Sequence, residues 1–208
     1  MKNKFLLFCF SLLIMPKIYS LETQKVDAKT KLKTLVTEGI KGVSAHILLG
    51  LAHELGHVAA FKLLDATHQR KDINDIFEFG LQKNILCIFY TYWPPFQNSK
   101  ISALVSAAGP LAGLLTSYAT LKFSAFYSEL SKGTSVKLAF YNTFHKRLIN
   151  KELSTVGTVA LAHGIANILH LVPIKISRSN QQIPTLSHGY EMLQDFGLVK
   201  KITLSDKP

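Results

Sequence analysis

Residues 40–64 read IKGVSAHILLGLAHELGHVAAFKLL. As an α-helix these 25 residues extend about 37 Å at 1.5 Å per residue, enough for a hydrocarbon layer roughly 30 Å thick. Lys41 and Lys62 stand near the two ends, where their stems can lie on apolar surface while the ammonium groups reach water. The polar face every 3.6 residues that a soluble bundle helix needs is largely missing. Two further stretches have the same character. Residues 101–121 carry no charged side chain, and residues 153–174 carry none before Pro173 and Ile174 close the run. Small residues recur in all three, as expected where helices pack closely in lipid. The pattern predicts an all-α membrane protein with a core of three transmembrane helices.

The remaining sequence fits between and around these spans. Of 208 residues, 48% are hydrophobic and 18% charged, with a mean hydropathy of +0.19 and a formal net charge of +11. Disorder is excluded, because it requires low hydrophobicity together with high charge. A large multidomain enzyme is excluded by length, and a disulfide scaffold by the presence of only two cysteines, Cys9 and Cys87. Residues 1–20 read as a signal peptide: Lys2 and Lys4, an apolar run too short to span, Pro16, and Ser20 before the cut. A polar segment (21–39), the membrane core (40–195) and a tail (196–208) follow. Within the core, residues 85–96 (ILCIFYTYWPPF) predict a short strand or hairpin at the membrane surface, with Tyr90, Tyr92 and Trp93 at the headgroups. Residues 122–152 hold six basic side chains and predict an amphipathic helix on the bilayer. A polar loop and a short final helix are expected after residue 174. Basic residues are nearly balanced, ten in 21–39 and 122–152 against nine in 65–100 and 175–208, so charge does not orient the chain. No nucleic-acid recognition motif accompanies the basic loops, and anionic headgroups of the lipid bilayer account for them.

The first span carries chemistry. His53-Glu54-Leu55-Gly56-His57 places two imidazoles at i and i+4, one turn apart on one helix face, where both can reach one zinc ion. Glu54, one step along, is placed to take the proton of an attacking water. With this composition a chance match arises in about one chain in a hundred, so the location has to sharpen the motif. It does: an ionisable glutamate in hydrocarbon costs several kcal/mol and needs a reason to be there. His46, two turns before His53 on the same face, is open to three uses: supporting a metal ligand, lining a water path, or hydrogen-bonding between helices. His163, Asn167 and His170 fall at i, i+4 and i+7 and form one polar stripe on the third span. Such a stripe either faces the metal site or hydrogen-bonds to neighbouring helices.

These residues resemble the site-2 protease family of intramembrane zinc metalloproteases, over roughly residues 45–195. Three motifs in the family's order carry the resemblance: HELGH; Ala108-Gly109-Pro110-Leu111-Ala112-Gly113, similar to the family's Gly-Pro helix signature; and His170-Leu171-Val172-Pro173 followed by Ser187-His188-Gly189-Tyr190. The last resembles the Asn-Leu-x-Pro and Ser-Asp-Gly-Tyr pair of compact bacterial members. The resemblance implies a Zn2+-dependent endopeptidase of the bacterial inner membrane, multi-pass, cutting membrane-protein substrates in or near their transmembrane segments. It implies His53, His57 and His188 as metal ligands, Glu54 as the catalytic base, and Asn167 or His170 toward substrate or oxyanion. The third motif departs from the family twice. His170 stands where the family has Asn. His188 stands where the family has its ligand Asp, and His170 or Asp195 are the alternatives for the third ligand. Three histidines are a workable catalytic zinc set. The departures keep open a proteolytically silent relative that binds a partner or zinc.

Overall fold

In a computed structural model of the chain, the residues described are 27–65, 78–84, 87–92, 96, 98–145, 153–172, 175–176, 185–186, 193 and 197–198. The predicted signal segment 1–20, Trp93, Pro173, His188, Asp195 and most of the tail lie outside them. The elements are α1 (Ala28–Asp65), β1 (Glu78–Asn84), β2 (Cys87–Tyr92), α2 (Ser99–Ser131), α3 (Val136–Phe144), α4 (Thr155–Leu171), β3 (Lys175–Ile176) and β4 (Thr185–Leu186). The described chain is mostly helical. Two helices, α1 and α2, are long and apolar enough to cross a membrane. The third expected span contains the apolar 17-residue α4, about 26 Å at 1.5 Å per residue; Pro173 and Ile174, which end that span, lie outside the described residues.

The ends of the helices explain the differences from the predicted spans. Asp27 starts α1: its Oδ1 accepts the Thr30 backbone N–H at 3.0 Å and its Oδ2 accepts the Thr30 hydroxyl at 2.6 Å. The Thr30 side-chain bond, followed by its backbone bond, holds the Asp27 carboxyl below the ordinary carboxylate range. From that cap the helix runs unbroken through residues 39 and 40, where a boundary between polar segment and core was expected. Hydropathy stops at the lysines, whereas helix propensity does not, since Lys, Leu, Ala and Glu are all good helix formers. Likewise α2 continues to Ser131, ten residues past the predicted span, and stops where Gly133 takes φ +80°. At the start of α4, Ser154 Oγ accepts the Gly157 N–H at 3.1 Å, so the helix begins only at Thr155.

The helices divide between two compact units. The first takes α1 as far as Leu49, α2 from Ser117, α3, and α4 as far as His163. Its apolar core is Ala45, Leu49, Val159 and Ala160, with Leu121 and Val156 packed against them. Glu38 accepts a hydrogen bond from the Thr155 hydroxyl, and Lys122 Nζ donates to the Thr143 carbonyl at 2.8 Å. The amphipathic helix expected in 122–152 is α3. It buries Ala139 and Thr143 and leaves Val136, Leu138, Phe140 and Tyr141 exposed.

The second unit takes α1 from Gly50, the β1–β2 hairpin, α2 as far as Thr116, and α4 from Gly164. Its core is Phe61, Phe96, Ile101 and Val105. Close packing of α1 on α2 centres on Gly56, where an added Cβ would come within 2.6 Å of the Ala108 carbonyl oxygen. Of the segment 85–96, predicted as a strand or hairpin, residues 87–92 form β2; its antiparallel partner is β1, which precedes that segment, in register Glu78↔Tyr92, Phe79↔Thr91, Gly80↔Tyr90 and Leu81↔Phe89. A second ladder of two residues per strand pairs β3 with β4.

Candidate metal centre

The site lies in the second unit and begins with the turn 53–57 of α1. The His53 and His57 ring centres are 5.1 Å apart and meet edge to face. Two imidazoles bound through Nε2 to one tetrahedral zinc, at about 2.0–2.1 Å each, place their ring centres about 5 Å apart. The far nitrogens have defined acceptors. His57 Nδ1–H donates to the Val105 carbonyl at 2.8 Å, and His53 Nδ1–H donates to Asn167 Oδ1 at 2.6 Å. An imidazole that donates from Nδ1 carries its lone pair on Nε2, the tautomer that metal-binding histidines need. The spacing and tautomers of this pair would suit two of the ligands of one zinc ion.

Two glycines of the AAGPLAG segment make room for this arrangement. A Cβ added at Gly109 would lie 2.1 Å from His57 Nε2, well under the 3.0 Å that real Cβ contacts keep. A Cβ added at Gly113, one turn on, would lie 2.5 Å from Asn167 Oδ1. One face of α2 is thus cleared at two successive turns, once for the imidazole from α1 and once for the carboxamide from α4. His57 and Asn167 are accordingly buried, at 2% and 4% exposure. Pro110 between the glycines has no N–H for the carbonyl of Ser106, yet α2 continues through it.

Glu54 points to the hairpin. Its Oε2 accepts the Thr91 hydroxyl at 2.6 Å, and the same hydroxyl is 3.4 Å from the Glu54 backbone carbonyl. Thr91 is a site residue that reading the sequence did not find. Only the alternation along CIFYTY, which puts Phe89 and Thr91 on one face of the strand, pointed that way.

The stripe on α4 serves more than one purpose. Asn167, expected toward substrate or oxyanion, holds His53. The His170 ring lies edge-on to His53 with centres 5.6 Å apart. His163 belongs to the first unit, where its Nε2 is 2.6 Å from His46 Nδ1. Of the uses open to His46, the hydrogen bond between helices is present. His188 and Asp195 lie outside the described residues. Among the described residues no three of His, Cys, Asp and Glu gather closely enough to hold a metal ion. In comparisons with known proteins, no family model, curated protein or solved structure matches this chain.

Proposed function

We propose that this chain is an intramembrane zinc metalloprotease of the site-2 protease type, which hydrolyses peptide bonds in or near transmembrane segments of membrane proteins. The observation that carries the reading is the paired orientation of His53 and His57. Each spends Nδ1 on a fixed acceptor, and the rings have the spacing of two ligands on one ion. Zinc bound there would polarise the scissile carbonyl and acidify the attacking water. The protein's own groups do the rest. Glu54 accepts the water proton as the oxygen bonds to the carbonyl carbon, then delivers it to the leaving amine nitrogen as the C–N bond breaks. Asn167 keeps His53 in its tautomer, and His170 is the group beside the site offered to the developing oxyanion. His188 is the third ligand that the family resemblance suggests.

The surfaces of the helices support a lipid setting. Large apolar side chains face outward on α1 and α2, with Leu63 77% and Leu115 70% exposed, while polar His57 and Asn167 are buried. This inverts the usual order of a water-soluble protein. A helical substrate would have to unwind first, because its amides are tied in i to i−4 bonds. The exposed aromatic face of α3 suits the headgroup layer.

A second reading, a proteolytically silent membrane protein that binds zinc or a partner, is favoured by the two departures in the third motif. Replacement Glu54→Gln separates the two. The protease reading expects wild-type zinc content and a fall of about 100-fold or more in cleavage of a model transmembrane substrate. Wild-type protein that binds zinc yet cleaves nothing, with the cellular role intact in Glu54→Gln, would establish the silent reading instead.

A further inference from the structure

We infer that Thr91 is the positioning residue for the Glu54 carboxylate, so that the hairpin sets the reach of the catalytic base; this rests on the protease reading of the site. The contact is short and direct, with Thr91 Oγ1 donating to Glu54 Oε2 at 2.6 Å, the range of a hydroxyl bonded to an ionised carboxylate. A glutamate on a helix has three side-chain torsions, and its carboxylate sweeps a wide arc unless something stops it. A hydroxyl bonded to one oxygen removes the rotation of the carboxylate plane and fixes which oxygen faces the reacting water.

The donor is itself firmly held. Threonine is β-branched and stiff at χ1, and its strand is fixed on both faces. On the face shared with Thr91, Phe89 stacks on Phe79 with ring centres 6.0 Å apart and planes within 10°. The Phe89 ring also lies at Gly50, where an added Cβ would meet it at 4.0 Å, one helical turn before Glu54. On the opposite face the Tyr90 ring covers Gly80, its cross-strand partner, so closely that a Cβ there would lie 2.7 Å from the ring. Residues 50 and 54 are successive positions of one face of α1. They meet residues 89 and 91, successive positions of one face of β2. Strand and helix therefore match at two points, and the second is the base. A catalytic group displaced by as little as 1 Å loses about 100-fold in rate, so an anchor of this kind has kinetic weight.

The test uses full-length protein in liposomes with a model transmembrane substrate and three variants, Thr91→Val, Thr91→Ser and Glu54→Gln. Thr91→Val keeps the shape and removes the hydroxyl; Thr91→Ser keeps the hydroxyl. Thr91→Val should hold zinc like the wild type, keep KM, and lose about tenfold or more in kcat, while Thr91→Ser recovers most of it. The infrared carboxylate stretch of Glu54, assigned by its loss in Glu54→Gln, should shift in Thr91→Val and not in Thr91→Ser. An active wild type with an unaffected Thr91→Val, or with Thr91→Ser as impaired as Thr91→Val, overturns the inference alone. A wild type that cleaves nothing overturns the protease reading, and the inference falls with it.

Discussion

Two pairs of histidines involve α1, and they are used differently. His46 in the first unit turns Nδ1 onto the Nε2 of His163, 2.6 Å away, with ring centres 4.7 Å apart. His53 and His57 in the second unit turn Nδ1 away from each other, onto a carboxamide oxygen and a backbone carbonyl. The first arrangement joins two helices by their imidazoles. The second fixes two tautomers whose lone pairs are suited to a third party. The first pair spans two helices, whereas the second lies one turn apart on α1. In the second pair an acceptor stands behind each ring, and those acceptors come from α2 and α4.

The contrast can be broken most severely at Gly109. Alanine there puts a methyl 2.1 Å from His57 Nε2, and a packed interior cannot absorb it. Overpacking costs about 1–3 kcal/mol, and the ring has to leave its place. Gly109→Ala should therefore lose most bound zinc while unfolding at a lower temperature, read by metal analysis and by thermal melting on one preparation. Zinc content equal to wild type would show that the cleared space is not needed by the ligand.

A milder pair of changes sharpens the contrast. Asn167→Ala removes the acceptor behind His53, and loss of such a partner weakens metal binding by about 10- to 100-fold. His163→Ala, one turn away on the same helix, removes the partner of His46. It should leave zinc affinity unchanged and cost about 1 kcal/mol of stability, the worth of an ordinary hydrogen bond. Competition with a chelator measures the first, and denaturant melting the second. Equal effects of both variants on zinc would erase the distinction between the two pairs.

The residues explain how far the sequence could be read. HELGH was legible because the two proposed ligands and the proposed base sit within one and a half turns, where helix geometry alone fixes their relation. Strand β2 was legible from β-branched and aromatic content, whereas its partner β1, EFGLQKN, has little of that content and was not foreseen. The acceptors were harder. Val105 contributes a backbone carbonyl, which no side-chain pattern reports, and Asn167 stood in the stripe without a stated partner. Gly109 and Gly113 were visible as a signature, but their use as clearances depends on which side chains arrive from other helices. Thr91 looked like one more strand former among aromatics. Helix ends are a separate matter. Lysines end a hydropathic run without ending a helix, so α1 and α2 extend beyond their predicted spans, while the Ser154 cap sets the start of α4 at Thr155.

Zinc K-edge X-ray absorption on the purified, full-length chain tests the central claim most directly. The expected spectrum comes from about one zinc per chain with two or more imidazole nitrogens at about 2.0–2.1 Å, and the His53→Ala, His57→Ala double variant should show no bound zinc. Zinc that remains in the double variant with an unchanged imidazole signal, or a wild type that binds none, would contradict it.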